Sequence, residues 1–210
     1  MRRRMLAIIS VAVISVMLLT GCSKGFKQAP LVDYAKKNGL KQLTLPELEK
    51  LYDGESYSVD EPYENKFINS GYYVAKDSEE ATYALKKHYR QDANDSIGLK
   101  DLALCGKDDC FFWIVMTAEN EENANKLYVE WIDIMVSYDG ESTSGTRSGY
   151  KYKTGHNESI SRMYRTDYFG VYTKGNSVLA VAYAVDSEED RKNMEAFFKQ
   201  LGVIPPESAI

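Results

Sequence analysis

The sequence predicts an α+β fold of two layers, in which helices pack on one face of a largely antiparallel sheet. One observation is a pattern that occurs three times: a strand-like apolar run ends in alanine and is followed by an Asp or Asn and by an acidic stretch with helical periodicity. The three apolar runs are residues 72–75, 114–118 and 181–184. The other observation is a strand-rich stretch at 150–185, which contains the tight turn signal 174–177. Strands joined by tight turns pair antiparallel, and helices then cover a face of their sheet.

Each helix of this pattern has a predicted start and a predicted buried side. Asp77, Asn120 and Asp186 are the expected caps, because a short side-chain oxygen accepts a backbone N–H and the glutamates that follow favour the positive end of a helix. Apolar residues then recur at spacings of three and four. The acidic clusters could also be calcium ligands, but they lack the alternating spacing of a calcium loop, and capping explains them without a metal.

The N-terminus resembles the export signal of bacterial lipoproteins. Three arginines precede an apolar run from Leu6 to Leu19, which is shorter than the about 20 residues that a transmembrane helix needs. The next residues, Leu19-Thr20-Gly21-Cys22, resemble the lipobox, in which the chain is cut before the cysteine and the thiol receives a diacylglycerol thioether. The resemblance implies that Cys22 anchors the mature chain to the bilayer. The alternative is an uncleaved membrane anchor with an incidental cysteine.

This resemblance and the composition divide the chain into four parts. They are a lipoprotein signal peptide at 1–21, a tether at 22–30, a small helical segment at 31–70 and the α+β domain at 71–210. A capping box, Thr44 with Glu47, marks the start of a helix in the third part. Acyl chains contribute about 0.8 kcal/mol per buried CH₂, so the predicted location is the extracytoplasmic face of the cell membrane, with a lasting lipid anchor.

Charge and composition bear on the partners. The signal peptide contains three arginines and no acids, so its removal changes the net charge from −5 to −8. An acidic chain does not attract phosphate backbones, which argues against nucleic acid as a partner. The chain has sixteen tyrosines against seven phenylalanines, which suits exposed strand positions or a ligand surface, and the sequence leaves both open.

Two cysteines remain after Cys22. Cys105 and Cys110 flank the turn-like residues 106–109, between two apolar runs. In a hairpin they would face each other at about 4.5–5.5 Å between Cα atoms, within reach of a disulfide. We expect a structural disulfide in the oxidising exterior, and free thiols are the alternative.

The sequence contains no recognisable catalytic motif. It has no metalloprotease, nucleophile-elbow, phosphate-loop or dinucleotide signature. The motifs Ser-x-x-Lys and Lys-Thr-Gly occur together within residues 148–155, whereas penicillin-binding enzymes place them far apart in the chain. We therefore expect a non-catalytic binding module without cofactor or metal. The alternatives are a hydrolase whose carboxylates are brought together by the fold, and a structural accessory subunit of a membrane complex.

The predicted partner-binding region follows the second helix of the pattern. Residues 138–149 are small, polar and glycine-bearing, which predicts an exposed, mobile loop. The candidate binding residues for an anionic or sugar-bearing surface polymer, or for a surface protein, are Arg147, Tyr150, Lys151, Tyr152 and Lys153. A strand at 150–153 would point the tyrosines to one face and the lysines to the other. The alternative is a solvated hairpin whose tyrosines pack under a helix.

Three segments, 71–77, 168–176 and 201–206, resemble the matching stretches of small lipoproteins of Clostridium-type Gram-positive bacteria. The likeness would span roughly residues 31–208, and its motifs are turn and packing motifs. That family has no known catalytic residues. The resemblance therefore implies the location of the protein and no mechanism.

Overall fold

The computed structural model describes residues 25–52, 71–89, 97–107, 111–135, 141–156, 168–185 and 187–208. Within these residues the helices are α1 (Ala29–Lys37), α2 (Leu45–Tyr52), α3 (Ser78–Tyr89), α4 (Glu121–Met135) and α5 (Glu188–Leu201). The strands are β1 (Lys41–Gln42), β2 (Gly71–Val74), β3 (Leu99–Lys107), β4 (Phe111–Ala118), β5 (Glu141–Arg147), β6 (Tyr150–His156), β7 (Tyr168–Lys174) and β8 (Ser177–Tyr183). A 3₁₀ turn at Pro206–Ser208 follows α5.

All of these strands form one sheet, in the order β1-β2-β3-β4-β8-β7-β6-β5. The pair of β1 and β2 is parallel, and every other neighbouring pair is antiparallel. Helices pack against this sheet through two apolar clusters. The structure therefore confirms the predicted α+β class with a largely antiparallel sheet.

Helices cover both faces of the sheet, whereas the sequence predicted helices on one face. One face packs against α2, α3 and α4, with Trp131 of α4 in its core, and we call it the α4 face. The other packs against α1 and α5, with Phe198 of α5 in its core, and we call it the α5 face. The reason is that residues 111–116 of β4 are all buried, so their side chains need cover on both sides. The described part of the fold consequently has three layers.

The first turns of three helices are capped by side-chain oxygens, as the sequence predicted. Asp77 and Asn120 accept the backbone N–H three residues further on, at 2.9 and 2.8 Å. For α5 the cap is Ser187, whose hydroxyl oxygen accepts the N–H of Asp190 at 3.1 Å. The predicted cap of this helix, Asp186, lies outside the described residues.

The N-terminal residues pack against the sheet from their first described position. Phe26, within the predicted tether, is 7% exposed and lies in the core of the α5 face. Gly25 lies so close to the start of β8 that a Cβ on it would be 2.0 Å from the Ser177 hydroxyl oxygen. The capping box of α2 forms as predicted, since the Glu47 carboxylate accepts the Thr44 N–H at 2.9 Å.

The residues that follow α5 lie across β6 and β7 on the α5 face. We call residues 203–208 the C-terminal strap. Its Ile204 is held by two tyrosine hydroxyls: Tyr172 donates to the Ile204 carbonyl at 2.8 Å, and the Tyr150 oxygen accepts the Ile204 N–H at 3.0 Å. Tyrosine supplies ring area for the core together with a hydroxyl for a backbone group, so these tyrosines attach a segment that has no strand of its own.

The register of the β3–β4 hairpin corrects the predicted cysteine pairing. The two strands pair antiparallel as expected, but they extend further toward the turn, so that Lys107 lies opposite Phe111. In this register the Cα partner of Cys105 is Trp113, and the prediction that Cys105 faces Cys110 is wrong. Cys105 is a free and fully buried thiol, and Cys110 lies outside the described residues.

We expect the Cys105 thiol to be unreactive in the native protein. Burial raises its pKa to about 12, so little thiolate forms near neutral pH. In a Cys110→Ser variant, iodoacetamide should leave the Cys105 peptide unmodified until denaturant is added, as read by mass spectrometry. Rapid modification of the native variant would contradict the burial. Failure to alkylate Cys105 in denatured, non-reduced wild type would indicate the disulfide instead.

Candidate functional site

A cleft of about 230 Å³ opens on the α5 face, at the end of the sheet where β3 and β8 finish and β4 begins. Helices α1 and α5 form its sides. Its lining residues are Tyr34, Asn38, Leu40, Lys107, Phe111, Tyr183, Ala184, Asp190, Asn193 and Met194. The floor is apolar and buried, and the rim is polar and largely exposed.

Pairing between the central strands brings the parts of this cleft together. Phe111 at the start of β4 is the Cα partner of Tyr183 at the end of β8, so both side chains reach the same end of the sheet. Lys107 ends β3 directly opposite Phe111. Because α5 begins at Glu188, soon after β8 ends, its first two turns stand beside this end and contribute Asp190 to the rim.

Aromatic rings form a wall of the cleft. The Tyr34 ring lies 5.1 Å from the Phe111 ring and 4.7 Å from the Phe197 ring between centroids, and both contacts are tilted. Phe111 and Phe197 meet edge to face at 5.9 Å. Tilted and edge-to-face contacts at these distances are favourable, so the wall is held in one arrangement by its own packing.

The cleft rim carries one cation, one carboxylate and two amides. The Ser187 hydroxyl donates to the Asp190 carboxylate at 2.6 Å, which orients that carboxylate at the start of α5. Burial, with smaller contributions from Cys105 and Asp190, raises the pKa of the Tyr34 phenol to about 12, so this hydroxyl stays neutral. Lys107 lies on the same rim. The cleft therefore has a positive hydrogen-bond donor, a negative acceptor and two neutral amides around an apolar floor.

A half-buried carboxyl, that of Glu207, is hydrogen-bonded to the cleft floor. The Tyr183 hydroxyl donates to Glu207 of the C-terminal strap. The other Glu207 oxygen is buried and has no hydrogen-bond partner among the described residues, and the same is true of the Thr154 hydroxyl. Burial raises the pKa of Glu207 above its ordinary value. Tyr183 therefore belongs both to the cleft floor and to the attachment of the strap.

The predicted partner-binding region is a hairpin and not a mobile loop over residues 141–147. These residues form β5, which pairs with β6 along its whole length. Ser148 and Gly149 join the strands with φ values of 50° and 81°, and positive φ at both positions is the geometry of a type I′ turn. The prediction of exposure was right for most of β5, and residues 138–140 lie outside the described residues.

The five candidate residues of that region do not converge on one surface. Tyr150 is 3% exposed beneath the strap and cannot contact a partner, while Tyr152 on the same face is half-buried. Arg147 is the cross-strand partner of Tyr150 and lies on this face also. Lys151 and Lys153 point to the α4 face, as the predicted alternation required, and the Lys151 ammonium donates to Asn125 of α4 at 3.4 Å.

Some of the remaining sequence predictions concern residues that the structure does not describe. Cys22 and the lipobox lie outside them. None of the described helices is long and apolar enough to cross a membrane. Among the described residues, no three His, Cys, Asp or Glu side chains are grouped as metal ligands would be.

Comparisons with known protein families, curated proteins and solved structures found no match for this chain.

Sequence reasoning missed the cleft because its residues come from separate segments. Asp190 is not singled out by the sequence pattern, and the structure shows that it takes part in the α5 cap. No sequence pattern around Lys107 indicates a functional role for it. The one signal in the sequence is the apolar run from Phe111, which is typical of a strand with cover on both faces, although cover was predicted on one face only.

We expect stability to depend on pH through Glu207. Because burial raises its folded pKa above the ordinary 4.5, the native state binds more protons than the unfolded state above that pH. The free energy of unfolding should therefore fall as pH rises from about 4.5 through the folded pKa. Glu207→Gln keeps an acceptor for the Tyr183 hydroxyl and removes this loss, so its stability relative to wild type should increase between pH 4 and pH 7, as read by urea unfolding.

The matched control is Glu195→Gln, which changes an exposed carboxyl of α5. A Glu207→Gln difference that stays constant with pH, or that shrinks as pH rises, would contradict the raised pKa of Glu207.

Proposed function

We propose that this chain is a membrane-anchored, extracytoplasmic lipoprotein whose α+β domain is a non-catalytic binding module at the cell surface. The lipobox at Cys22 supports the location. The observation that carries the binding role is the cleft on the α5 face, with its aromatic wall and its rim of mixed charge. The proposed ligand is one unit of a sugar-bearing cell-wall polymer.

The chemistry of the cleft supports this ligand class. A sugar ring has an apolar face that packs on aromatic rings and hydroxyl edges that need both donors and acceptors. Lys107 and the amides of Asn38 and Asn193 supply donors, and the Asp190 carboxylate supplies an acceptor. The volume of about 230 Å³ is below the roughly 300–1,000 Å³ of pockets that enclose a whole small ligand, which suits one unit of a longer chain.

The position of the cleft suits a domain tethered at its N-terminus. Gly25 lies beside Ser177 at the start of β8, and the cleft includes Tyr183 at the other end of that strand. Six residue steps at about 3.3 Å separate these ends by roughly 20 Å. Since two residues separate Cys22 from Gly25, a lipid on Cys22 would hold the Ser177 end near the membrane and leave the cleft at the far end.

Glu207 favours a second candidate function, the carboxylate-based hydrolase. Glu207 accepts a hydrogen bond from Tyr183 of the cleft floor, and burial raises its pKa, which is the direction that a general acid needs. Glu207 itself is not among the residues that line the cleft. A hydrolase would release soluble fragments from wall material, and Glu207→Gln would stop that release. Wall material that stays intact during prolonged incubation supports the binding module.

We expect the double variant Lys107→Ala/Asn193→Ala to bind purified cell-wall material about tenfold more weakly than wild type, because it removes two hydrogen bonds of about 0.5–1.5 kcal/mol each. The measurement is co-sedimentation over a range of wall concentrations. The control is Asn125→Ala/Lys151→Ala, which removes the same two residue types from the α4 face. Equal binding by both double variants would exclude the cleft as the binding site.

A further inference from the structure

Strand β5 ends the sheet with an unpaired edge. Its inner side pairs with β6 over all seven residues, and among the described residues no element pairs with its outer side. The opposite edge of the sheet is β1, which has only two residues. An edge strand presents a row of N–H and C=O groups that can pair with another strand, so β5 is the longer template of the two.

The middle of β5 carries none of the usual devices that block an edge. Natural proteins protect an edge with proline, charged side chains, a bulge or an inward-pointing charge. The sequence Glu-Ser-Thr-Ser-Gly-Thr-Arg contains no proline and has its two charges only at its ends, and its register with β6 is uninterrupted. Residues 142–146 are small, so nothing in the middle of the strand keeps another strand away.

The charges of β5 are complementary to those of a second β5 that runs antiparallel. If two copies pair about Ser144, Glu141 of each copy lies opposite Arg147 of the other, because the positions are symmetric about 144. Both residues are exposed. Opposite charges that face each other across strands stabilise a pair, and an in-register parallel pair would instead place like charges together.

We propose that β5 pairs antiparallel with β5 of a second copy of this chain, about a two-fold axis at Ser144, and extends the sheet from one copy into the next. Tyr152 contributes at the seam, since its hydroxyl lies over Gly145, where a Cβ would be 2.7 Å from it. Gly145 lies opposite Thr143 of the second copy. The cleft is separated from this seam by β6 and β7, so both clefts stay open.

Covalent capture tests this interface, because a pair of seven-residue strands is smaller than the roughly 1,200 Å² of stable complexes and should dissociate on dilution. In membranes that contain the full chain, diamide should convert Ser144→Cys to a disulfide-linked dimer, since the two introduced thiols face each other across the axis. Ser142→Cys is the matched control on the same face. Its two copies are four residue steps apart, about 13 Å, which is too far for a disulfide.

We expect several-fold more dimer from Ser144→Cys than from Ser142→Cys, in a Cys110→Ser background. Arg147→Glu added to Ser144→Cys should lower the dimer yield several-fold, because it places two carboxylates together at each end of the pair. Adding Glu141→Arg as well should restore the yield, since the two charges are then exchanged. Equal yields from Ser144→Cys and Ser142→Cys, or no restoration by the exchange, would overturn the proposal and leave a different partner for this edge.

Discussion

The central strands of the sheet are apolar on both sides, and the rest of the fold follows from that constraint. In β4 the residues 111–116 are buried, and in β8 the residues 177–181 are buried. Each large apolar side chain contributes about 1.5–3 kcal/mol when it is removed from water, so exposure of either face would cost most of the stability of the domain. The α4 face is covered by three helices, and the α5 face by α1, α5 and the C-terminal strap.

The cover of the α5 face consists of two helices and the strap, and the cleft lies between the two helices, α1 and α5. Helix α5 packs over the central strands through Phe197 and Phe198, while the strap reaches β6 and β7 and is held there by tyrosine hydroxyls. Tyr183 contacts both pieces, because its ring packs on Phe198 at 5.7 Å and its hydroxyl bonds Glu207. The same residue forms part of the cleft floor, so the cleft and the attachment of the strap share a side chain.

The sequence was sufficient to predict those structural features that depend only on neighbouring residues. The caps at Asp77 and Asn120 and the β3–β4 hairpin were predicted because each depends on neighbouring residues. Which residues lie opposite each other in a strand pair depends on the register. Strand β3 continues to Lys107, and in the resulting register Trp113 lies opposite Cys105. The sequence predicts a loop where β5 lies, because the small polar residues there have no hydrophobic alternation and the strand geometry depends on pairing with β6.

The cleft itself could not be read from the sequence, for a related reason. Tyr34, Lys107 and Asp190 are distant in the chain, and each has an ordinary local role in a helix, a hairpin or a cap. Their proximity depends on the packing of α1 and α5 against the same end of the sheet, which is a consequence of the double cover. The tyrosine excess is visible in the sequence, but only the structure shows that the hydroxyls of Tyr150, Tyr172 and Tyr183 bind the strap.

The proposed location, and the outward position of the cleft, depend on a lipid at Cys22. The most direct measurement is mass spectrometry of the N-terminal peptide of the chain extracted from membranes, for wild type and for Cys22→Ala. The wild-type chain should begin at Cys22 with a diacylglycerol thioether, and the variant should retain residues 1–21 and carry no lipid. A wild-type peptide that begins at Met1 without lipid, or a mature-sized Cys22→Ala chain that still partitions into detergent, would contradict the lipoprotein assignment.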